Sequence, residues 1–331
     1  MTPVRILDAS EIADAVTALR ASGLVGLPTE TVYGLAANAE DEAAVARIYA
    51  VKGRPQDHPV IVHIADAGKV NDWARTFPAY AERLASEFWP GPMTLILPRG
   101  ERAKDFVTGG QETVGLRVPN HPTALAILAE FGGGVAAPSA NQFGAVSPTS
   151  ALHVLNDLGE RMNPETDVIV DGGESSVGVE STIIDCTGER PRILRPGAVT
   201  QADIERVTGL TVTTAGEAIA APGTLDSHYA PDAAVTLVDS VESLFEQVAT
   251  MLAAQTDSSL RVGVIAAEAV PTPRGAIRLS MPLTNSQYAE ELYAALREAD
   301  RLGLSQVVAL VPAGDDIAVA VRDRLARAAH K

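Results

Sequence analysis

GLVGLP (Gly23–Pro28), DEAAVARIYAVK (Asp41–Lys52), VIVHI (Val60–Ile64), PAYAERLASEF (Pro78–Phe88) and MTLILP (Met93–Pro98) follow one another along the chain, and their alternation sets the fold class. The short runs rich in Val, Ile and Leu have the length and branching of buried strands, while the Ala-rich stretches between them space their apolar residues as a helix does. Strands alternating with helices pack as helix on sheet, so the reading is α/β with a mixed sheet. VIVDGG (Val168–Gly173), STIIDC (Ser181–Cys186) and RILRPG (Arg192–Gly197) continue the strand pattern. From 201 to 232 a helical pattern passes into APGTLDSHYAP (Ala221–Pro231), punctuated by Pro222, Gly223 and Pro231, and a domain boundary falls there. Beyond it come VTLV at 235, a helix over 241–254, VGVIA at 262, a helix over 286–302, VVALV at 307 and a helix over 316–329. That βαβ rhythm is Rossmann-like, but no Gly-rich turn follows its first strand, so the fold alone brings no dinucleotide cofactor. The organisation expected is a large domain over 1–205, a linker over 206–232 and a smaller C-terminal domain over 233–331.

At 331 residues, with 46% apolar and 21% charged residues, the chain is globular and long enough for two cores. Its 42 Asp and Glu against 26 Lys and Arg leave a net charge of −16, a field that repels phosphate polymers and membrane surfaces at long range. Broad nucleic-acid binding is disfavoured, yet cations gathered in a cleft can still hold one small anion, because charges there are screened less than in bulk solvent. The single cysteine, Cys186, excludes an internal disulfide, a redox pair and a cysteine-rich zinc site. The start, MTPVRILDASEIADAV, carries a helical pattern broken by acids and has no apolar signal core; no apolar run reaches membrane-spanning length. The expectation is a cytoplasmic protein.

No GxxxxGK[ST], GxGxxG, HExxH or GxSxG is present, so any phosphate must be held by side chains. Four segments could do so. PTETVYGL (Pro28–Leu35) sets Thr, Glu, Thr and Tyr where an α/β sheet presents ligand groups; the other reading is a strand-to-helix turn whose Thr and Glu cap a helix. KGRPQDHPVIVHI (Lys52–Ile64) holds Lys52 and Arg54 in a stiff loop fit to clamp phosphate oxygens, unless it is a solvated basic turn with His63 an ordinary strand histidine. TVGLRVP (Thr113–Pro119) buries Arg117 in an apolar strand, which calls for an anionic partner, either a protein carboxylate or a ligand carboxylate. APSAN (Ala137–Asn141), SPT (Ser147–Thr149), GVESTIID (Gly178–Asp185) and ILRPG (Ile193–Gly197) offer small hydroxyls and amides beside glycines. Each alone is a turn signal, and their joint occurrence makes the case.

Together with WPGPMTLIL (Trp89–Leu97), these ordered motifs closely resemble the Sua5/YciO/YrdC family over residues 5–200, and the SHYAP segment with its βαβ tail resembles the longer Sua5 type. The resemblance implies a YrdC-like twisted mixed sheet and L-threonylcarbamoyladenylate synthase activity, a nucleotidyl transfer. L-Threonine, bicarbonate or CO2, and ATP with Mg2+ would give threonylcarbamoyl-AMP and pyrophosphate, and the product would pass to a tRNA threonylcarbamoyl transferase for adenosine modification. It implies Lys52 and Arg54 as the catalytic cations. Arg54, His58, Thr113, Asn141, Ser147, Arg195 and Tyr229 would face ATP; Thr31, His63, Arg117, Ser139 and Ser181 would surround threonine. Arg117 would meet the amino-acid carboxylate, and Tyr229 of the linker would lie over the nucleotide. The family commonly reads Asp-Asn-Pro after KGRP, whereas this chain has Asp57-His58-Pro59, so His58 would have to donate through a ring nitrogen. An RNA-binding module of the same fold without catalysis is the alternative, and the acidic balance disfavours direct tRNA binding. A hydrogenase-maturation carbamoyltransferase, which shares this type of domain, is a third reading that the single cysteine disfavours.

Overall fold

The computed structural model describes residues 3–213, 219–223, 229–254 and 261–330. They fall into two compact units, one within 1–143, 147–176 and 180–224, the other within 144–146, 177–179 and 225–331.

The first unit is built on ten strands: β1 (Arg5–Asp8), β2 (Val25–Leu27), β3 (Gly34–Asn38), β4 (Ile61–His63), β5 (Met93–Pro98), β6 (Thr113–Arg117), β7 (Val135–Ala136), β8 (Val168–Asp171), β9 (Thr182–Asp185) and β10 (Arg192–Arg195). Their order is β1-β8-β2-β3-β7-β4-β6-β5-β9-β10. Pairing is mixed as expected: β4 runs parallel to β6 and β5 to β9, while β5 is antiparallel to β6 and β4 to β7. Successive side chains alternate between faces, so β2 and β3 send Val25, Leu27 and Ala36 into one core cluster, while Leu24 just before β2 and Leu35 and Ala37 of β3 enter another. The helix Glu42–Lys52 starts where the Asp41 side chain accepts the amides of Ala43 and Ala44, and stops at Gly53, whose φ of 65° no branched residue adopts cheaply.

Two local readings are corrected. PTETVYGL does not lead into a helix: β2 and β3 are antiparallel neighbours, Val25 opposite Ala36, so the segment is a strand-to-strand connection. Its Thr29 hydroxyl donates to the Val32 carbonyl at 2.6 Å and accepts the amides of Thr31 and Val32, closing a turn rather than capping a helix. At the start, the helical pattern begins only at Ile12; Arg5–Asp8 is a strand because Leu7 pairs in parallel register with Val170, and tertiary pairing overrides local propensity.

The second unit carries β11 (Ala234–Val238), β12 (Val262–Ile265), β13 (Ile277–Ser280) and β14 (Gln306–Leu310), all parallel in the order β11-β14-β12-β13, with helices Val241–Ala253, Asn285–Arg301 and Ala318–Ala329. Edge strand β13 escaped the sequence reading because IRLS is only half-buried over its first three residues.

Candidate active site

Strands β4, β5, β6 and β9 present one face that differs from the rest. His63 lies opposite Arg117, Ile61 and Ile96 lie opposite Gly115, and Thr94 lies opposite Ile183. The pleat sends the intervening Val62, Leu95, Val114, Leu116 and Ile184 into the large core on the other side. The first face therefore has an apolar middle, where Ile61, Ile96 and Ile183 cluster with Ala221, and a polar end at His63, Arg117 and Thr94. Thr113, at the other end of β6, lies four residues from Arg117, ~13 Å along an extended strand.

At the polar end, Arg117 is 4% exposed. Its Nη1 donates to Thr31 Oγ1 at 2.8 Å and its Nε to the Gly91 carbonyl at 3.4 Å, while Nη2 lies 2.7 Å from Glu30 Oε1. Of the two anionic partners open to Arg117, the structure contains the protein carboxylate. His63 beside it is buried, and burial together with the Arg117 charge pushes its pKa down to about 3. The ring is neutral at physiological pH, able to exchange one neutral hydrogen bond with a ligand hydroxyl.

That neutrality has a stability signature. Between the ordinary histidine value near 6.5 and about 3, the unfolded chain binds a proton at this position that the native state does not, so native stability falls as pH falls through that window. The slope is about 1.4 kcal/mol per pH unit. Urea unfolding at pH 7 and pH 5 should show the wild type losing about 2 kcal/mol more than His63→Gln; parallel losses would place the imidazole in contact with solvent.

Lys52 and Arg54 are both buried. Lys52 Nζ donates to the Ser139 carbonyl at 2.5 Å and the Asn141 carbonyl at 2.6 Å, tying the APSAN segment to the end of its helix. Burial, reinforced by Arg54, lowers the Lys52 pKa well below that of a free lysine. Arg54, turned away by Gly53, donates from Nη2 to the Pro59 carbonyl at 2.8 Å. APSAN is itself stitched to the turn that bears Thr31: Ala140 N donates to the Tyr33 carbonyl, and Ser139 bridges Gly34. The Asn141 amide donates to the Gln142 carbonyl at 2.7 Å.

Arg195 fixes the third edge. Its Nη2 reaches the Ser181 carbonyl at 2.9 Å and the Ser181 hydroxyl at 3.2 Å, and that hydroxyl lies 2.8 Å from Thr94 Oγ1. Gly197 is required here because a Cβ would sit 2.3 Å from the Thr182 amide nitrogen. Ser147 donates to Glu180 at 2.6 Å. Residues 219–223 lie over the same face: Ala221 packs on Ile61, Ile96 and Ile183, Arg195 Nη1 holds the Pro222 carbonyl at 2.9 Å, and Gln111 exchanges two hydrogen bonds with Ala220.

The structure thus links Thr31, Lys52, Ser139, Asn141, His63, Arg117, Ser181 and Arg195 through strand pairing and short hydrogen bonds. His58 is half-buried with its ring edge-on to Phe143 at 5.6 Å. Thr113 lines an open cavity of about 810 Å³ with Asp185, Arg192 and Ile219. Tyr229 belongs to the second unit, its ring stacked on Tyr293 at 5.6 Å with the Arg324 guanidinium 5.4 Å from its centre. Reasoning from residues missed Glu30, Thr94, Glu180 and Gln111. Thr94 had a signal, a hydroxyl inside an apolar strand; Glu30 stood in a quoted motif, but its partner is distant in sequence. Among the described residues, no helix is long and apolar enough to cross a membrane, and no group of three or more His, Cys, Asp or Glu is placed to hold a metal.

The chain is 39% identical to the threonylcarbamoyl-AMP synthase of Pyrococcus abyssi over 317 residues, 94% of this chain and 91% of that one. It is 39% identical to the protein of the same name from Bacillus subtilis over 328 residues, 96% and 93% of the two chains. A structure of P. abyssi Sua5 complexed with L-threonine superposes with a TM-score of 0.88 at 37% identity, covering 99% of this chain and 98% of that one. A doubly substituted variant of P. abyssi Sua5 superposes with 0.90 at 36% identity, covering 98% and 96%. Fold, site and relatives define an α/β enzyme whose buried cations and hydroxyls lie along one face of a mixed sheet. The family model Sua5/YciO/YrdC, described as telomere recombination, matches residues 17–197, and the threonylcarbamoyl-AMP synthase C-terminal domain matches 199–330. The chain belongs to the Sua5/YciO/YrdC family.

Proposed function

We propose that the chain is an L-threonylcarbamoyladenylate synthase, making threonylcarbamoyl-AMP and pyrophosphate from L-threonine, bicarbonate or CO2, and ATP. The observation that carries the proposal is Arg117, a buried guanidinium with the Thr31 hydroxyl on one nitrogen, accompanied by two further buried cations, Lys52 as the last residue of its helix and Arg54 just beyond it. The names of the relatives, and the L-threonine bound to P. abyssi Sua5, support this over an RNA-binding module. Arg117 takes the substrate carboxylate; Thr31, His63, Ser139 and Ser181 surround the rest of the amino acid. The α-ammonium of threonine first gives up a proton; the free amine captures CO2 and releases a second proton to leave a carbamate, whose oxygen attacks the α-phosphorus in line while pyrophosphate leaves.

Such a displacement needs alignment and charge neutralisation more than covalent help. Lys52 and Arg54 supply charge, joined toward ATP by His58, Thr113, Asn141, Ser147 and Arg195. The ~13 Å from Arg117 to Thr113 along β6 suits threonine at one end and nucleotide at the other. Mg2+ would accompany ATP and neutralise part of the triphosphate charge. The product is handed to a tRNA threonylcarbamoyl transferase in the cytoplasm, and the net charge of −16 disfavours direct tRNA binding. Pyrophosphate release is expected to require both L-threonine and bicarbonate. Release at an undiminished rate with either omitted would overturn the assignment.

A further inference from the structure

Glu30 is 5% exposed, yet among the described residues no hydrogen-bond donor is aligned with either of its carboxylate oxygens. Its one close charge, Arg117 Nη2 at 2.7 Å, is in ion-pair contact but out of line for a hydrogen bond, and that nitrogen likewise has no aligned acceptor. His121 is within electrostatic reach of Glu30, but burial lowers its pKa, so a neutral imidazole does not compensate the carboxylate. Buried polar groups are nearly always satisfied, and a buried carboxylate is among the most expensive to leave short of donors.

An amino acid is a zwitterion, and this pair has the complementary charges. Resting on the threonine reading above, we propose that Glu30 receives the substrate's α-ammonium, with L-threonine inserting into the Arg117–Glu30 pair. Each protein charge then gains a hydrogen-bonded partner of opposite sign, and no net charge is added to the buried site. Insertion of the substrate would replace a direct contact that is close but out of line for a hydrogen bond. It also gives the site a basis for rejecting hydroxy acids, which would leave the carboxylate facing a neutral hydroxyl.

Calorimetric titration of the full chain with L-threonine and with 2,3-dihydroxybutyrate, which replaces the amine by a hydroxyl, tests this. The wild type should bind the hydroxy acid roughly 10- to 100-fold more weakly, the scale of one charge-assisted hydrogen bond. Glu30→Gln should weaken L-threonine binding by a similar factor while changing the hydroxy acid little. Equal weakening of both ligands would mean that Glu30 only positions Arg117, and unchanged L-threonine affinity would remove it from the site; either result overturns the proposal. Should Glu30→Gln fail to fold, equal affinity of the wild type for the two ligands overturns it instead. Absence of L-threonine binding to the wild type is a different result, which would sink the functional reading itself.

Discussion

Arg54→Ala should lower pyrophosphate release about 100-fold or more at saturating substrates, the loss expected when one preorganised charge contact is removed from a transition state. No glycine loop replaces it in this fold, and Lys52 beside it is held well below the usual lysine range, first by burial and then by the Arg54 charge. Lys52→Ala should be equally damaging but for two reasons at once. The Lys52 ammonium also satisfies the Ser139 and Asn141 carbonyls, and each buried acceptor left without a donor costs about 1–3 kcal/mol. Pyrophosphate release alongside thermal melting separates the two: Arg54→Ala, which takes the donor from one carbonyl, that of Pro59, should lose rate with the smaller fall in melting, whereas Lys52→Ala takes it from two and should fall further. Arg54→Lys should recover only part of the rate, because a point charge does not reproduce a planar fork. Near-normal turnover in Arg54→Ala would remove this residue from the chemistry.

The parts of this site that local pattern reveals are those whose cause is local. Val, Ile and Leu alternating over β5 and β6 announce strands, and a guanidinium in the middle of TVGLRVP announces a buried charge that needs an anion. Which anion was not legible, because Glu30 reaches Arg117 from a segment 87 residues earlier in the sequence. The same holds for Lys52, whose acceptors are carbonyls of residues 87 and 89 positions away; a backbone acceptor leaves no trace in side-chain identity. PTETVYGL left two readings open, ligand groups at the end of a strand or an approach to a helix, and the second fails because Thr29 closes a hydroxyl-mediated turn with the residue types that would cap a helix. Tyr229 stood out in SHYAP, yet its stacking on Tyr293 depends on a helix of the second unit that no spacing rule connects to it.

Arg117→Met should abolish measurable L-threonine binding and destabilise the protein by about 3–5 kcal/mol, because it strands the Glu30 carboxylate without its counter-charge in a buried site. For a unit of this size that corresponds to a fall in melting temperature of about 10 °C. The decisive variant is the double substitution Arg117→Met with Glu30→Gln. Replacing both members of a buried ion pair removes the stranded charge along with the attraction, so most of the lost stability should return while L-threonine binding does not. Two sites far apart would show additive effects; here the double variant must be more stable than Arg117→Met alone, by at least 1 kcal/mol. Additivity within error would mean that the carboxylate is compensated by another group. Binding retained by either variant would show that the guanidinium does not hold the substrate. The pair therefore tests, in one cycle, whether the charge at the end of β6 serves the fold, the ligand or both.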